Sequence, residues 1–443
     1  DLRPQLGCYG HEQMISPHID RLANEGVAFR HAYCQQAVCA PSRASLLTGA
    51  RPDTTTIYNL FTPVRKAMPD VLTLPEHFKK NGHTSISLGK IYHHWNDDRQ
   101  GWSEKAWHPG GPGYLLPENR ALDDYQKRMS AGKVFSDRGP ATEAADVPEN
   151  AYPDGKTADE AIEMLRGFGE APFFLAVGFY KPHLPFNAPK RYWDIYDPDA
   201  IDLADNPFKP KDCPTIAMHN WAELRGYRGI PKSGRLSDDH ARHLIHGYYA
   251  CTSFTDALVG RLVAELDRLG LRDSTVVILW GDHGWNLGEH GLWCKHSNFE
   301  TSVHSPLIVR APGMQGNGHA SDALVEFVDI YPSLSELCGL PLPGHLEGTS
   351  FVPLLQEPDK AWKEAAFSQY PRGRIMGYSM RTGRYRYTEW INGETKAVQA
   401  RELYDHLSDP GENVSLALDP AYEGLMADLS SRLRKELKIE AAG

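Results

Sequence analysis

The sequence is short of several things, and each shortage removes a class of function. No apolar run approaches the roughly 20 residues that a membrane-crossing helix needs, and no basic, apolar, signal-like segment opens it. It starts abruptly at Asp1-Leu2-Arg3-Pro4, as the continuation of a strand would. Positive charge is not in excess: 47 Lys and Arg stand against 57 Asp and Glu, a formal charge of −10. General nucleic-acid binding is disfavoured, because it needs clustered cations to neutralise phosphates. An anionic substrate would therefore need a local basic pocket inside an acidic molecule. The seven cysteines, at 8, 34, 39, 213, 251, 294 and 338, lack the even count and tight spacing of a disulfide framework or a zinc knuckle. Internal repeats are absent as well.

What is present is an ordinary globular chain of 443 residues, 41% hydrophobic, enough for a large core and a smaller appended domain. Apolar runs alternate with helical patterns, the signature of βαβ units around a large, mostly parallel sheet flanked by helices, which is an α/β class. Helices are expected from Ser16-Pro17 to Gly26, from Thr73 to Gly82, from Thr157 to Phe168 and from about Arg242 to Leu269. Strands are expected at Thr84 to Leu88, Pro172 to Phe179, Ser274 to Trp280 and Pro306 to Val309. The periodicity lapses near Pro353 to Lys360, which divides the chain into a catalytic domain, 1–358, and a C-terminal subdomain, 359–443. In the latter, Tyr378 to Ile391 alternates up to a hairpin signal at Asn392-Gly393, and a helix over about Tyr422 to Leu437 would cover a small antiparallel sheet. The Gly-, Pro- and Asp-rich stretches Asp98 to Asn150 and Asp197 to Ser237 read as surface insertions.

Chemistry-bearing residues gather at the predicted strand ends, where open α/β sheets bind ligands. The segment from Cys39 to Gly49 places Pro41 where a helix would start and Gly49 where it would stop, so free N–H groups and a positive dipole end would sit beside Cys39. Arg43, one turn in, can add a charge-assisted contact that orients a nucleophile. The bland reading is a capped helix with a buried thiol. After Ser274 to Trp280 come Gly281-Asp282-His283, a metal-capable pair that in isolation more often marks a turn. After Thr84 to Leu88 come Lys90, His93 and His94, and after Pro172 to Phe179 come Lys181 and His183. Singly, such residues are usually solvated loop side chains.

Cys39-Ala40-Pro41-Ser42-Arg43, followed by Leu47-Thr48-Gly49, resembles the signature of type I sulfatases, whose cysteine is oxidised to formylglycine. Leu6-Gly7-Cys8-Tyr9-Gly10, Arg51-Pro52-Asp53, Lys181-Pro182-His183, the run Asp282 to Gly291, Ser368 to Arg372 and Ile375 to Thr382 are similar to the iduronate 2-sulfatase-like branch. The resemblance implies an alkaline-phosphatase-like sulfatase fold and hydrolysis of sulfate esters. The substrate class it implies is a sulfated polysaccharide fragment, attacked by an exo-acting 2-O-sulfatase at a uronic acid.

By the same resemblance, Asp282, His283, Asp1 and an oxygen of modified Cys39 hold a divalent cation. Oxygen-rich ligation favours Ca2+, with Mg2+ or another divalent ion as the alternative. The family usually presents two adjacent acidic residues where this sequence has Asp1, so the second is expected one position upstream. Lys90 would bind sulfate, and His93 would take a proton, with His94 as its alternative. His183 would protonate the leaving oxygen and Lys295 would hold an ester oxygen. Arg374 would read a uronate carboxylate bidentately, or else be an exposed hairpin side chain, and Trp285 would offer a face to the sugar, or else belong to the core. The resemblance further implies a formylglycine-generating enzyme as maturation partner. It implies export too, periplasmic or secreted, or lysosomal if the source is an animal. The competing readings are a phosphonate or phosphate ester hydrolase of the same superfamily, and a silent relative that binds sulfated glycans.

Overall fold

The computed structural model describes residues 1–93, 97–130 and 138–439, with the backbone alone at 125–130. The larger part contains α1 (Pro17–Glu25), β1 (Val27–Tyr33), α2 (Cys39–Thr48), α3 (Leu74–Lys80) and β2 (Thr84–Gly89). It continues with α4 (Pro153–Phe168), β3 (Phe173–Gly178), α5 (Asp238–Arg268), β4 (Val277–Trp280), β5 (Leu307–Arg310) and β6 (His319–Glu326). The smaller part contains β7 (Ala365–Arg372), β8 (Ile375–Thr382), β9 (Tyr385–Asn392), β10 (Val398–Asp405) and α6 (Glu423–Glu436).

The central sheet runs β6-β1-β5-β4. It is mixed: β1 and β6 are parallel, whereas β5 is antiparallel to both β1 and β4. The reason is local. The chain leaves the end of β4, builds the loop that carries Asp282 to His304, and re-enters the sheet from the same side as β5. The expected parallel βαβ arrangement is seen in β2 and β3, which pair in parallel register from Thr84–Phe173 to Gly89–Gly178. These last two glycines are required by close approach. A Cβ on Gly89, which has φ +73°, would lie 2.2 Å from the Gly178 carbonyl oxygen, and one on Gly178 would lie 2.1 Å from that of Lys90. Between β3 and β4 lies a cavity of about 1210 Å³ whose lining includes Phe173, Leu175, Val177, Val277 and Leu279.

Packing follows the patterning. Leu244, Tyr248, Cys251, Thr255 and Leu258 recur every three or four residues along α5, and all are buried. The bounds of α1, with Ser16 before it, Pro17 at its first position and Gly26 after it, match the sequence signal. In the smaller part β7 to β10 form an antiparallel meander, and Leu429 and Leu433 of α6 pack against Phe367, Met380, Tyr387 and Leu403. One turn departs from expectation. The two-residue turns lie at Gly373-Arg374 and Gly383-Arg384, and Asn392-Gly393 instead opens a longer loop in which the Asn392 carboxamide oxygen accepts from the amides of Glu394 and Thr395 at 2.9 and 3.0 Å.

Strand β7 docks beside the segment that leads to Cys39. The Gln369 amide donates to the Gln35 carbonyl at 2.8 Å, and the Ser368 hydroxyl donates to that of Cys34 at 2.6 Å. A fork from Arg51 to buried Glu326, at 2.7 and 2.8 Å, and Lys363 on the same carboxylate at 3.0 Å, add charge to that seam.

Candidate active site

Helix α2 starts at Cys39, two residues earlier than Pro41 alone implied, and all ten of its residues are buried. Pro41 is accommodated because first-turn N–H groups have no acceptor inside the helix. Gly49 closes the helix at φ +67°, where a Cβ would meet Leu346 at 2.3 Å. The helix therefore presents its N-terminal end, and Cys39, to the loops at the ends of β2 and β4.

Four potential ligands converge there. Cys39, Asp1, Asp282 and His283 are all buried, and their ligand atoms lie within 4.8 Å of one another. Cys39 Sγ is 3.3 Å from His283 Nε2, which lies 3.6 Å from an Asp1 carboxylate oxygen and 3.7 Å from one of Asp282. Two buried carboxylates with an imidazole and a fourth donor are a set that suits a divalent cation, because leaving such groups dry and unbridged is costly. Burial would raise the Asp282 pKa; His283, Arg43 and Lys90 act against it and keep the carboxyl well below its ordinary value. Burial lowers His283, leaving the neutral ring that a metal ligand requires. Burial also opposes ionisation of Cys39, but Lys90 and Lys295 bring the thiol well below its usual value.

Arg43 braces this half of the site. Its Nε donates to Asp282 at 3.0 Å while Nη1 donates to the carbonyls of Lys90 and Ile91, at 2.5 and 3.0 Å. It thus fixes a ligand and the loop after β2 together rather than touching Cys39 through a hydrogen bond. Lys90 Nζ reaches Cys39 Sγ and Asp1, each at 3.4 Å.

The other half is assembled around Lys295 and His183. Lys295 Nζ donates to Asp1 at 3.1 Å and to Glu223 at 3.0 Å, and lies 3.2 Å from His183 Nε2. Glu223, 7% exposed, also stands 2.9 Å from His183 Nε2 and 3.0 Å from His296 Nε2. Burial and then the Lys295 charge push His183 down to about 3, with Glu223 acting the other way. Burial would raise Glu223, but Lys295 and His183 hold it well below its ordinary value. His296 extends the network to the Tyr370 hydroxyl at 3.0 Å, and Arg372 Nη2 donates to the His296 carbonyl at 2.6 Å.

Of the residues expected from sequence, Asp1, Cys39, Arg43, Lys90, His183, Asp282, His283 and Lys295 form one connected cluster. His93 lies partly buried in the loop after β2, and His94 falls outside the described residues. Trp285 requires a correction. Its ring is 0% exposed, with the Lys295 ammonium 4.7 Å from its centroid and Phe186 against its edge, so it offers no face to a sugar and supports Lys295 from below. The Arg374 side chain is 78% exposed beside the β7–β8 turn, paired with Glu394 at 3.1 Å. The segment Asp197 to Ser237, read from the sequence as a surface insertion, delivers Glu223 into the crevice from the short turn Ala222–Arg225. Sequence reasoning missed Glu223, His296, Tyr370 and Arg372. His296 was adjacent to a residue already singled out, whereas nothing around Glu223 distinguishes it from other loop carboxylates.

Comparison with known proteins gives the same picture. The sulfatase family profile matches residues 1–340, and that of the N-sulphoglucosamine sulphohydrolase C-terminal region matches residues 288–439. Iduronate 2-sulfatase of Mus musculus is 34% identical over 511 residues, covering 97% of this chain and 91% of the relative. A solved phosphonate monoester hydrolase of Agrobacterium radiobacter superposes with a TM-score of 0.79 at 21% identity, over 99% of this chain and 94% of its own. A structure described as a 2-O GAG sulfatase gives 0.77 at 22% identity, over 99% and 90%. The last two speak for the shared fold, the alkaline-phosphatase-like architecture anticipated from the sequence. With the family profile spanning the crevice and a relative matched almost end to end, this chain belongs to the sulfatase family and is a sulfuric ester hydrolase.

Proposed function

We propose that the protein releases inorganic sulfate from a sulfated carbohydrate as an exo-acting 2-O-sulfatase on a uronic acid residue, through formylglycine formed at Cys39. The observation that carries this reading is the meeting of Cys39, at a helix N-terminus, with a divalent-cation donor set and two buried ammonium groups. That combination sets a nucleophile among buried cationic and cation-binding groups, the surroundings that an anionic ester requires. The 2-O-uronate assignment draws on the likeness to iduronate 2-sulfatase.

Asp1, Asp282, His283 and position 39 would hold the cation, for which their oxygen-rich set favours Ca2+; it would polarise the ester and favour an ionised nucleophile. An aldehyde hydrate at position 39 would supply two hydroxyls, one for attack on sulfur and one for the later expulsion of sulfate. The chain's own side chains do the rest. Lys90 and Lys295 bind sulfate oxygens and offset the charge that builds in the transition state. His183 gives a proton to the departing alcohol oxygen, and His93, with His94 as the alternative, accepts one when sulfate leaves. Arg374 reads the uronate carboxylate at the rim, supplied by the subdomain over 359–443. Maturation would require a formylglycine-generating enzyme, and export to the periplasm or medium, or to a lysosome in an animal, would suit a polysaccharide-degrading role. Among the described residues, no helix is long and apolar enough to cross a membrane.

Sulfate release from defined sulfated oligosaccharides, run beside aryl sulfate and aryl phosphonate, tests the assignment. We expect 2-O-sulfated uronates to be the best substrates. Arg374→Ala should cost them about tenfold in kcat/KM while leaving neutral sugar sulfates unchanged, the scale of one exposed charge-assisted contact. Faster phosphonate turnover would reassign the enzyme to the phosphonate hydrolases. Equal losses on acidic and neutral sugars would remove the carboxylate-reading role.

A further inference from the structure

His183 and Lys295 both depend on one carboxylate from outside the sequence motifs. Glu223 accepts from Lys295 Nζ at 3.0 Å through Oε1, and the same oxygen faces His183 Nε2 at 2.9 Å, while Oε2 faces His296 Nε2 at 3.0 Å. The opposite nitrogen of His183, Nδ1, is 2.5 Å from the Leu184 carbonyl, which can only accept. Nδ1 therefore keeps its proton, whereas Nε2 faces both an acceptor, Glu223, and a donor, the Lys295 ammonium, so a second proton on Nε2 is favoured by the carboxylate and opposed by burial and by Lys295. Lys295 is the countervailing influence, since an ammonium 3.2 Å from Nε2 disfavours a second positive charge. Glu223 is the group placed to offset it. Its seat is rigid: the turn Ala222–Arg225 is held by backbone hydrogen bonds from Leu224 and Arg225 to Trp221, and His296 is held from its far side by Tyr370 and Arg372.

We infer that Glu223 is a positioning residue for departure of the alcohol: it holds the His183 Nε2–H and Lys295 where the ester oxygen leaves and keeps that proton available. The inference rests on the proposed acid role of His183. As the sulfur–oxygen bond to the alcohol breaks, its electron pair stays on oxygen. That oxygen takes the Nε2 proton, the N–H pair remains on the ring, and His183 is left neutral. A group acting this way matters in proportion to how poor the leaving group is, because a stable aryloxide departs without a proton and a sugar alkoxide does not.

The experiment compares wild type with Glu223→Gln, Glu223→Asp and His183→Gln on a nitrophenyl sulfate and on a sulfated sugar, in matured enzyme, with a melting curve for each variant. Glu223→Gln should lose about 100-fold in kcat on the sugar sulfate and less than about fivefold on the nitrophenyl ester, the low end of general-acid contributions. His183→Gln should show the same split, only larger. Glu223→Asp keeps the charge on a shorter arm and should fall between the two with the same selectivity. It also serves as the decisive variant if the Gln form does not fold. Equal losses on both substrates for the Glu223 variants, with the split retained in His183→Gln, overturn the role of Glu223 alone. A split missing from His183→Gln as well overturns the acid assignment and this inference together.

Discussion

The two halves of the crevice are built differently. On the cation side, Cys39, Asp282 and His283 project from the start of α2 and the end of β4, with Arg43 tying them to the loop after β2. Each is fixed by an element of the main sheet or by a helix buried along its whole length. On the leaving-group side, His183, Glu223, Lys295, His296, Tyr370 and Arg372 come from the loop after β3, an insertion, the long β4–β5 loop and the first strand of the smaller sheet. The first half is set by the ends of core elements, although these lie far apart in the chain. The second exists only once distant segments have packed.

That difference sets the order of expected effects. Asp282→Asn removes a charge from the cation side and should lower sulfate turnover by about 1,000-fold, comparable to deleting a principal electrostatic stabiliser. It should also lower bound calcium or magnesium per chain, read by elemental analysis of the dialysed protein. Full metal content in that variant would show that the cation sits elsewhere. A smaller effect, on stability, is expected where the smaller sheet is held against the catalytic part. Burial opposes ionisation of Glu326, but Arg51 and Lys363 lower its pKa to about 2 from 4.5. The sign follows from linkage. The ionised pair stabilises fully above about pH 4.5, and that stability is lost as pH falls toward about 2. The melting temperature should therefore drop across this window in the wild type. In Glu326→Gln it should start lower at neutral pH and vary less. A Gln variant with the wild-type acid slope would show that other carboxylates govern the transition.

Legibility in the sequence follows the same division. The strand runs at Thr84 and Ser274, and helix α1 with its Ser16, Pro17 and Gly26 punctuation, were readable because period and capping are local properties. The placement of Cys39 and of Asp282-His283, directly after or within such elements, was readable for the same reason, whereas their grouping as candidate ligands came from the family resemblance. The antiparallel course of β5 was not, since it depends on the path of the loop between Asp282 and His304. Trp285 looked equally fit for a sugar face or a core, and only packing against Phe186 and Lys295 decides that. Glu223 was hidden because its neighbours carry no periodicity and its partners lie 40 and 72 residues away or more in the chain.

If turnover belongs to an oxidised side chain at position 39, beside the candidate cation ligands, activity must track the extent of that oxidation. The direct test is to prepare the protein with graded co-expression of a formylglycine-generating enzyme. The fraction of aldehyde in the Cys39 peptide is then measured by mass spectrometry, and sulfate release is measured on the same samples. The rate should rise in proportion to that fraction and vanish in Cys39→Ala. A sample that turns over at the full rate with position 39 still a thiol would show that formylglycine is not the nucleophile.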